Sequence, residues 1–190
     1  VTDHSAPRIP PLPFPEWGDT ARTTLEANRD TPVLAQLLDG RPAPNVLATL
    51  ARHDWLFGIA TPFLASVTAG EMPPRDRELL ILRTAHNTGS AYQWSHHHRL
   101  ARATGLTEAE IDRVGQGPDA PGWSATEAAL LRATDEIERD ATVAEPTWQT
   151  LAAHYNRRQL LELLYLTGAF RLLATMLNSC RVPLDPWAAS

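Results

Sequence analysis

Glu78, Ser90, Gln93 and His97 are the residues whose types and spacing point to chemistry. They lie in Arg75–Ala103, RDRELLILRTAHNTGSAYQWSHHHRLARA, which reads as two helices joined at Asn87-Thr88-Gly89. The first helix carries Glu78 as its one carboxylate on an otherwise apolar face. The second presents Ser90, Gln93 and His97 at i, i+3 and i+7, and therefore on one stripe. Folding back at Gly89 sets the carboxylate opposite the imidazole. A carboxylate orients such a ring and favours its protonated form while burial opposes this, and the balance suits proton transfer near neutrality. Arg75 and Arg83 are candidates to hold an anionic substrate group. Trp94 is a candidate to wall a pocket.

A bland account stands beside this one. A glutamate in an apolar helix is often paired with a nearby arginine, here Arg75 or Arg77, and a half-buried histidine is often structural. His96-His97-His98 suggests metal, but consecutive helical residues point about 100° apart and cannot converge on one ion. One histidine and Glu78 fall short of the usual three or four ligands, so no metal is expected. One histidine is expected inward and the other two at a surface or interface. Ser90 lacks the GxSxG setting of a nucleophilic serine.

Composition narrows the classes further. All 17 basic residues are arginine, so Schiff-base chemistry lacks its nucleophile and a P-loop its lysine. Cys180 is the single cysteine, which excludes an internal disulfide, a CxxC redox cycle and a thiolate zinc site. It is expected to pack as a small hydrophobe. The formal net charge of −5 argues against nucleic acid or an anionic membrane as partner. No apolar run is read as reaching the roughly 20 residues of a membrane span. The start has no basic-then-apolar leader pattern, and a cytoplasmic location is expected.

The elements that must position the site are helical throughout. Residues 1–15 hold five prolines and are expected to form an extended arm along the surface or a neighbouring subunit; 16–190 is read as one all-α domain of about seven to eight helices with no significant sheet. A first helix is expected over Glu16–Asn28, and a long second over Asn45 to about Thr68, bent near Pro62. Pro73-Pro74 opens the Glu78 helix. Ser90 is expected to cap the next, which ends at Gly105. Thr107-Glu-Ala-Glu110 and Ser124-Ala-Thr-Glu127 are capping boxes. Pro146 starts a helix to about Tyr155, and Asn156 caps the last, to about Ser179.

With RDRELLILRTA, the TG turn and AYQWSHHHRLARATGLTEAEI in hand, the chain resembles the carboxymuconolactone decarboxylase family, the superfamily that includes AhpD-type alkylhydroperoxidases. PPLP, PNVLATLARH, GPDAPGWSATEAALLRATDEI and the last helix extend the resemblance over nearly the whole chain. It implies an AhpD-like helical bundle in a homo-oligomer: trimer, hexamer or dimer. The peroxidase branch has a glutamate at the position of Glu78, cysteines at those of Ser90 and Gln93, and a histidine at that of His97. A further histidine of that branch corresponds to Tyr92. The proton-handling ends survive here and the redox centre does not, so Cys-dependent peroxide reduction is excluded. Many non-redox relatives have Glu-Tyr-Glu-Trp where this chain has Ala91-Tyr92-Gln93-Trp94, which suggests a divergent substrate.

The expectation is a cofactor-independent lyase or isomerase acting on a carbonyl-, enol- or lactone-containing organic acid. Decarboxylation is its leading reaction because the resemblance points there: His97 transfers the proton, Glu78 orients the ring, and Tyr92, Ser90 or Gln93 donates hydrogen bonds to the developing enolate oxygen. The alternatives are a non-catalytic binding or scaffold protein that keeps the fold, and a metal-assisted enzyme.

Overall fold

The computed structural model describes residues 6–29 and 42–187, so residues 1–5 of the expected arm lie outside them. Among the described residues there are nine α-helices, a 3-10 turn at Phe14–Glu16 and no strand. The helices are α1 (Asp19–Ala27), α2 (Asn45–Leu50), α3 (Asp54–Thr68), α4 (Pro74–Asn87), α5 (Ala91–Ala103), α6 (Glu108–Gln116), α7 (Ala125–Asp140), α8 (Glu145–Ala152) and α9 (Arg157–Cys180). The all-α reading holds. Contacts gather the chain into two units, 1–69 with 177–190, and 70–176.

In the first unit, Trp17, Ala21, Leu25, Leu47, Ala48, Leu50, Ala51 and Phe57 form the core. Trp17 meets Phe57 edge-on, with centroids 5.2 Å apart. The described N-terminal segment lies against its own unit: Leu12 N–H donates to the Ala48 carbonyl at 2.8 Å, and Arg8 N–H to that of Cys180 at 2.8 Å.

The helix expected over 45–68 is two. The chain breaks at Ala51–His53, and Pro62 is accommodated inside α3. The break has a tertiary counterpart. The Asp54 carboxylate that follows it accepts from Thr20 N–H at 3.1 Å and Ala21 N–H at 2.7 Å, capping the start of α1. The first helix accordingly begins at Asp19 rather than Glu16.

The second unit is built on α4. Leu79, Leu80, Ile81, Leu82 and Ala85 are all at most 1% exposed, and α5, α6 and α7 pack around them. Each fully buried leucine contributes about 1.5–3 kcal/mol. Gly89 turns the chain from α4 into α5 at φ +61, a left-handed conformation natural to glycine. Both expected capping boxes are present, at Thr107/Glu110 and Ser124/Glu127. Asn156 Oδ1 accepts from Arg158 N–H at 2.8 Å and Gln159 N–H at 3.0 Å, opening α9.

One expectation needs correction. By length and composition alone α9, with 24 residues and a mean hydropathy of 1.5 in its most apolar window, could cross a membrane. Its Glu162 interrupts the apolar pattern, which is why no such run stood out in the sequence. Leu160, Leu163, Leu166, Phe170 and Ala174 make a buried face, the pattern of a core helix in a globular unit.

Candidate acid–base site

Glu78 sits one turn into α4 on its buried side, and His97 sits midway along α5. The Gly89 turn lays the two helices side by side, and His97 Nδ1 lies 2.8 Å from Glu78 Oε2. The carboxylate side chain is 4% exposed and the imidazole 14%, so the ring is the member of the pair that reaches outward. Arg77 Nε stands 3.6 Å from Glu78 Oε1. An ionised Glu78 only accepts hydrogen bonds, so in the tautomer that pairs with it Nδ1 is the donor and Nε2 the acceptor. The His97 ring meets the Phe170 ring of α9 edge-on at 5.1 Å.

Gln93, one turn before His97, is 2% exposed. Its Nε2 donates to the Phe170 carbonyl at 2.9 Å. Because a carbonyl requires a donor, this bond fixes the amide orientation and leaves Oε1 buried with no hydrogen-bond partner. Ser90 occupies the N-cap position of α5, but its hydroxyl does not cap the helix. That oxygen is buried without a partner, contrary to the capping role expected of it. Tyr92 is 6% exposed and stacks on His96 with centroids 4.3 Å apart. Trp94 is half-buried, its ring 6.2 Å from that of His86.

The three consecutive histidines diverge as helical geometry requires. His97 meets Glu78 and His98 Nε2 meets the surface Glu108 at 2.9 Å. His96 lies half-buried, its ring stacked on that of Tyr92. Among the described residues, no group of three or more His, Cys, Asp or Glu side chains is placed to hold a metal ion.

The structure does not leave Arg75 and Arg83 available as anion anchors. Arg75 Nη2 is bound by Glu110 at 2.6 Å and Glu127 at 2.8 Å. Its guanidinium, with the Thr107 N–H, holds the Glu110 carboxyl down at about 2. Burial opposes ionisation of Glu127, and the bonds from Arg75 and Ser124 outweigh it, so that carboxyl too is lowered. Arg83 makes a two-pronged contact with Asp135, at 2.6 and 2.9 Å, and donates to the Val114 carbonyl at 2.8 Å. Both arginines tie α4 to its neighbours, because carboxylates distant in sequence converge on them. Of the two arginines offered by the bland account, Arg77 is the one beside Glu78.

Sequence reasoning missed the contribution of α9. Phe170 supplies both the carbonyl that orients Gln93 and the ring against His97. Thr167, one turn earlier on the same face, is 1% exposed with a hydroxyl that has no partner. A threonine inside LLYLTGAF is the signal that was there to read. A cavity of about 420 Å³ lies in the other unit, lined by α1 and α3 residues including Asp19, Thr24, Asn28, Gly58 and Pro62, none of them in this site.

Residues 59–136 match the carboxymuconolactone decarboxylase family. The resemblance read from the α4–α5 motif is thereby borne out, with Ser90 and Gln93 standing where the peroxidase branch has its cysteines. Solved structures share the fold. The alkylhydroperoxidase AhpD core of an uncharacterized peroxidase-related protein from Ralstonia eutropha JMP134 aligns with a TM-score of 0.75 at 19% identity, covering 95% of this chain and 94% of its own. An uncharacterized peroxidase-related protein from Silicibacter sp. TM1040 gives 0.72 at 15% identity, over 91% of this chain and 88% of its own. The debrominase Bmp8 gives 0.73 at 12% identity, over 95% and 94%. No curated protein sequence matches the chain.

Proposed function

We propose that this family member is a cofactor-independent lyase or isomerase in which Glu78 and His97 perform acid–base chemistry on a carbonyl-, enol- or lactone-containing organic acid. The observation that carries this reading is the 2.8 Å contact between a buried carboxylate and a more exposed imidazole. Glu78 fixes the ring and stabilises the imidazolium formed when Nε2 takes a proton. Neutral Nε2 removes a proton from carbon next to a carbonyl; in decarboxylation the imidazolium, already protonated at Nε2 from solvent, delivers that proton to the enolate carbon left after carbon dioxide departs. Decarboxylation is the leading form of this chemistry, in keeping with the family. Ser90, whose hydroxyl has no other partner, is the best-placed donor to the enolate oxygen. Tyr92, buried on His96, serves as a second.

A homo-oligomer is part of the same proposal. Trp55, Ile59 and Phe63, spaced four apart on α3, are 67%, 51% and 38% exposed, a row of apolar surface suited to a second copy. Light scattering on the purified chain reads the oligomeric state.

The chemistry can be tested before the natural substrate is identified. Carbonyl and lactone acids are incubated with the protein in D₂O, and loss of carbon-bound protons and release of carbon dioxide are followed by NMR. Exchange or decarboxylation that disappears in Glu78→Gln and His97→Gln supports the reading. Undiminished turnover in both variants overturns it.

A further inference from the structure

Gln93 and His97 stand one turn apart on α5, and both meet the same residue of α9. Gln93 Nε2 donates to the Phe170 main-chain carbonyl at 2.9 Å. The His97 ring meets the Phe170 ring at 5.1 Å, with the two planes 84° apart. From its other edge His97 Nδ1 reaches Glu78 Oε2 on α4 at 2.8 Å. Gln93, Phe170, His97 and Glu78 are thus joined in series across three helices. Gln93, Phe170 and Glu78 are all buried.

Each link removes a particular freedom. The bond to Glu78 holds Nδ1 but leaves the imidazole able to turn about that line and to swing about its Cβ–Cγ bond. An edge-on aromatic contact at this separation is a favoured geometry, and it resists both motions. The Phe170 ring can do so only while its own backbone stays in place, because a phenyl ring is two torsions from its Cα. A carbonyl inside a helix serves the helix with one lone pair and keeps a second. Gln93 uses that second lone pair, which ties the Phe170 backbone to the helix that carries His97. The opposite end of the same amide, Oε1, is buried with no hydrogen-bond partner. An unpaired buried oxygen opposes this placement, so the bond made by the nitrogen is what the glutamine contributes.

We propose that Gln93 and Phe170 are positioning residues of the acid–base site: Gln93 fixes the Phe170 backbone, and the Phe170 ring fixes the plane of His97 and hence the direction of Nε2. The inference rests on the acid–base reading of Glu78 and His97. It assigns Gln93 to the frame of the site, in place of the role of donor to a substrate oxygen.

The proton that Nδ1 shares with Glu78 reports this brace without any substrate. Its exchange with water is read by NMR on the isotope-labelled full chain at fixed pH, and its resonance is identified by its absence in His97→Gln. Exchange requires the ring to swing away from Glu78, so loss of a bracing contact raises the rate by about two- to tenfold. Gln93→Met and Phe170→Leu come close to conserving volume, and each is expected to show that rise with helical circular dichroism kept. The double variant is expected to match Phe170→Leu to within about twofold, because Gln93 acts through the ring that variant lacks. Leu163 is 1% exposed on the same helix, about 10 Å from Phe170 along the axis. Leu163→Ala opens a cavity there and is expected to leave the rate unchanged. Unchanged exchange in Gln93→Met, effects that multiply in the double variant, or an equal rise in Leu163→Ala overturns the proposal. Should Phe170→Leu not fold, Gln93→Met set against Leu163→Ala decides it. Turnover of carbonyl acids in D₂O that is lost in Glu78→Gln, with Nδ1–H exchange unmoved by Gln93→Met, keeps the acid–base pair and removes the brace. Exchange that responds to Gln93→Met, with turnover indifferent to Glu78→Gln, removes the acid–base reading and keeps the brace.

Discussion

Replacing Glu110 with glutamine removes both its charge and its Arg75 hydrogen bond while sparing the backbone bond of the capping box. Thr107 N–H donates to Glu110 Oε2 at 2.8 Å, and a glutamine oxygen can still accept that bond, so the capping box survives. What disappears is the negative charge 2.6 Å from Arg75 and the hydrogen bond Oε1 accepts from it, since an amide nitrogen cannot accept. Folding lowers the Glu110 carboxyl from 4.5 to about 2, first through the Arg75 hydrogen bond and then through Thr107. Fully expressed, that drop corresponds to about 3 kcal/mol. Solvent around a side chain 23% exposed reduces the contribution to about 1–2 kcal/mol.

The sign follows from linkage. The unfolded chain takes up the proton near 4.5 and the folded one near 2. The stabilisation is therefore complete above the first value and is lost as pH falls toward the second. Urea unfolding at pH 7 is expected to show Glu110→Gln weaker than the parent by about 1–2 kcal/mol, or about 2–8 °C in Tm. The gap should narrow steadily below about pH 4.5. A deficit of the same size near pH 3 would refute the electrostatic argument and place the loss in packing. No deficit at pH 7 would refute the view that carboxylates hold Arg75, and would return that guanidinium to the candidate anion anchors.

Other perturbations probe the site and its frame. Glu78→Gln and His97→Gln are each expected to lower kcat on a substrate identified by proton exchange about 10²- to 10⁴-fold without loss of helical circular dichroism; a drop in KM-dependent binding alone would contradict the assigned roles. In Gly58→Ala the new Cβ would lie 2.8 Å from Thr20 Cγ2 and 3.4 Å from Thr24 Oγ1. Overpacking outweighs the gain in helix propensity, for a net loss of about 1–2 kcal/mol in chemical denaturation, and Thr20→Ser in the same chain should recover it. Asn156→Ala removes the cap of α9 and is expected to cost about 1 kcal/mol in a thermal melt; an unchanged melt would show that tertiary packing alone defines that helix start.

Local rules were legible in the sequence wherever the partners were close along the chain. The capping boxes at Thr107 and Ser124, the Pro74 start of α4, the Gly89 turn and the Asn156 cap are each decided by residues within about four positions. The Glu78–His97 pairing was legible for a related reason. A tight turn between two helices of known periodicity leaves few ways to lay one face on the other.

The failures share the opposite cause. Ser90 has the residue type and position of a cap, yet its hydroxyl is buried inside the unit. The break at Ala51–His53 belongs with Asp54, which caps α1 from more than thirty residues away. Arg75 and Arg83 look like free cations beside a site, and only the folded chain brings Glu110, Glu127 and Asp135 onto them.

Local sequence was enough for most of the helices, for the turn that pairs Glu78 with His97, and for the absence of a cysteine relay. Only the folded chain shows which charges are already paired, and that Phe170 of α9 packs on His97 and orients Gln93. The physical reason is range. Helix periodicity and capping act over a few residues, whereas desolvation and ion pairing depend on which distant side chains share the same few ångströms.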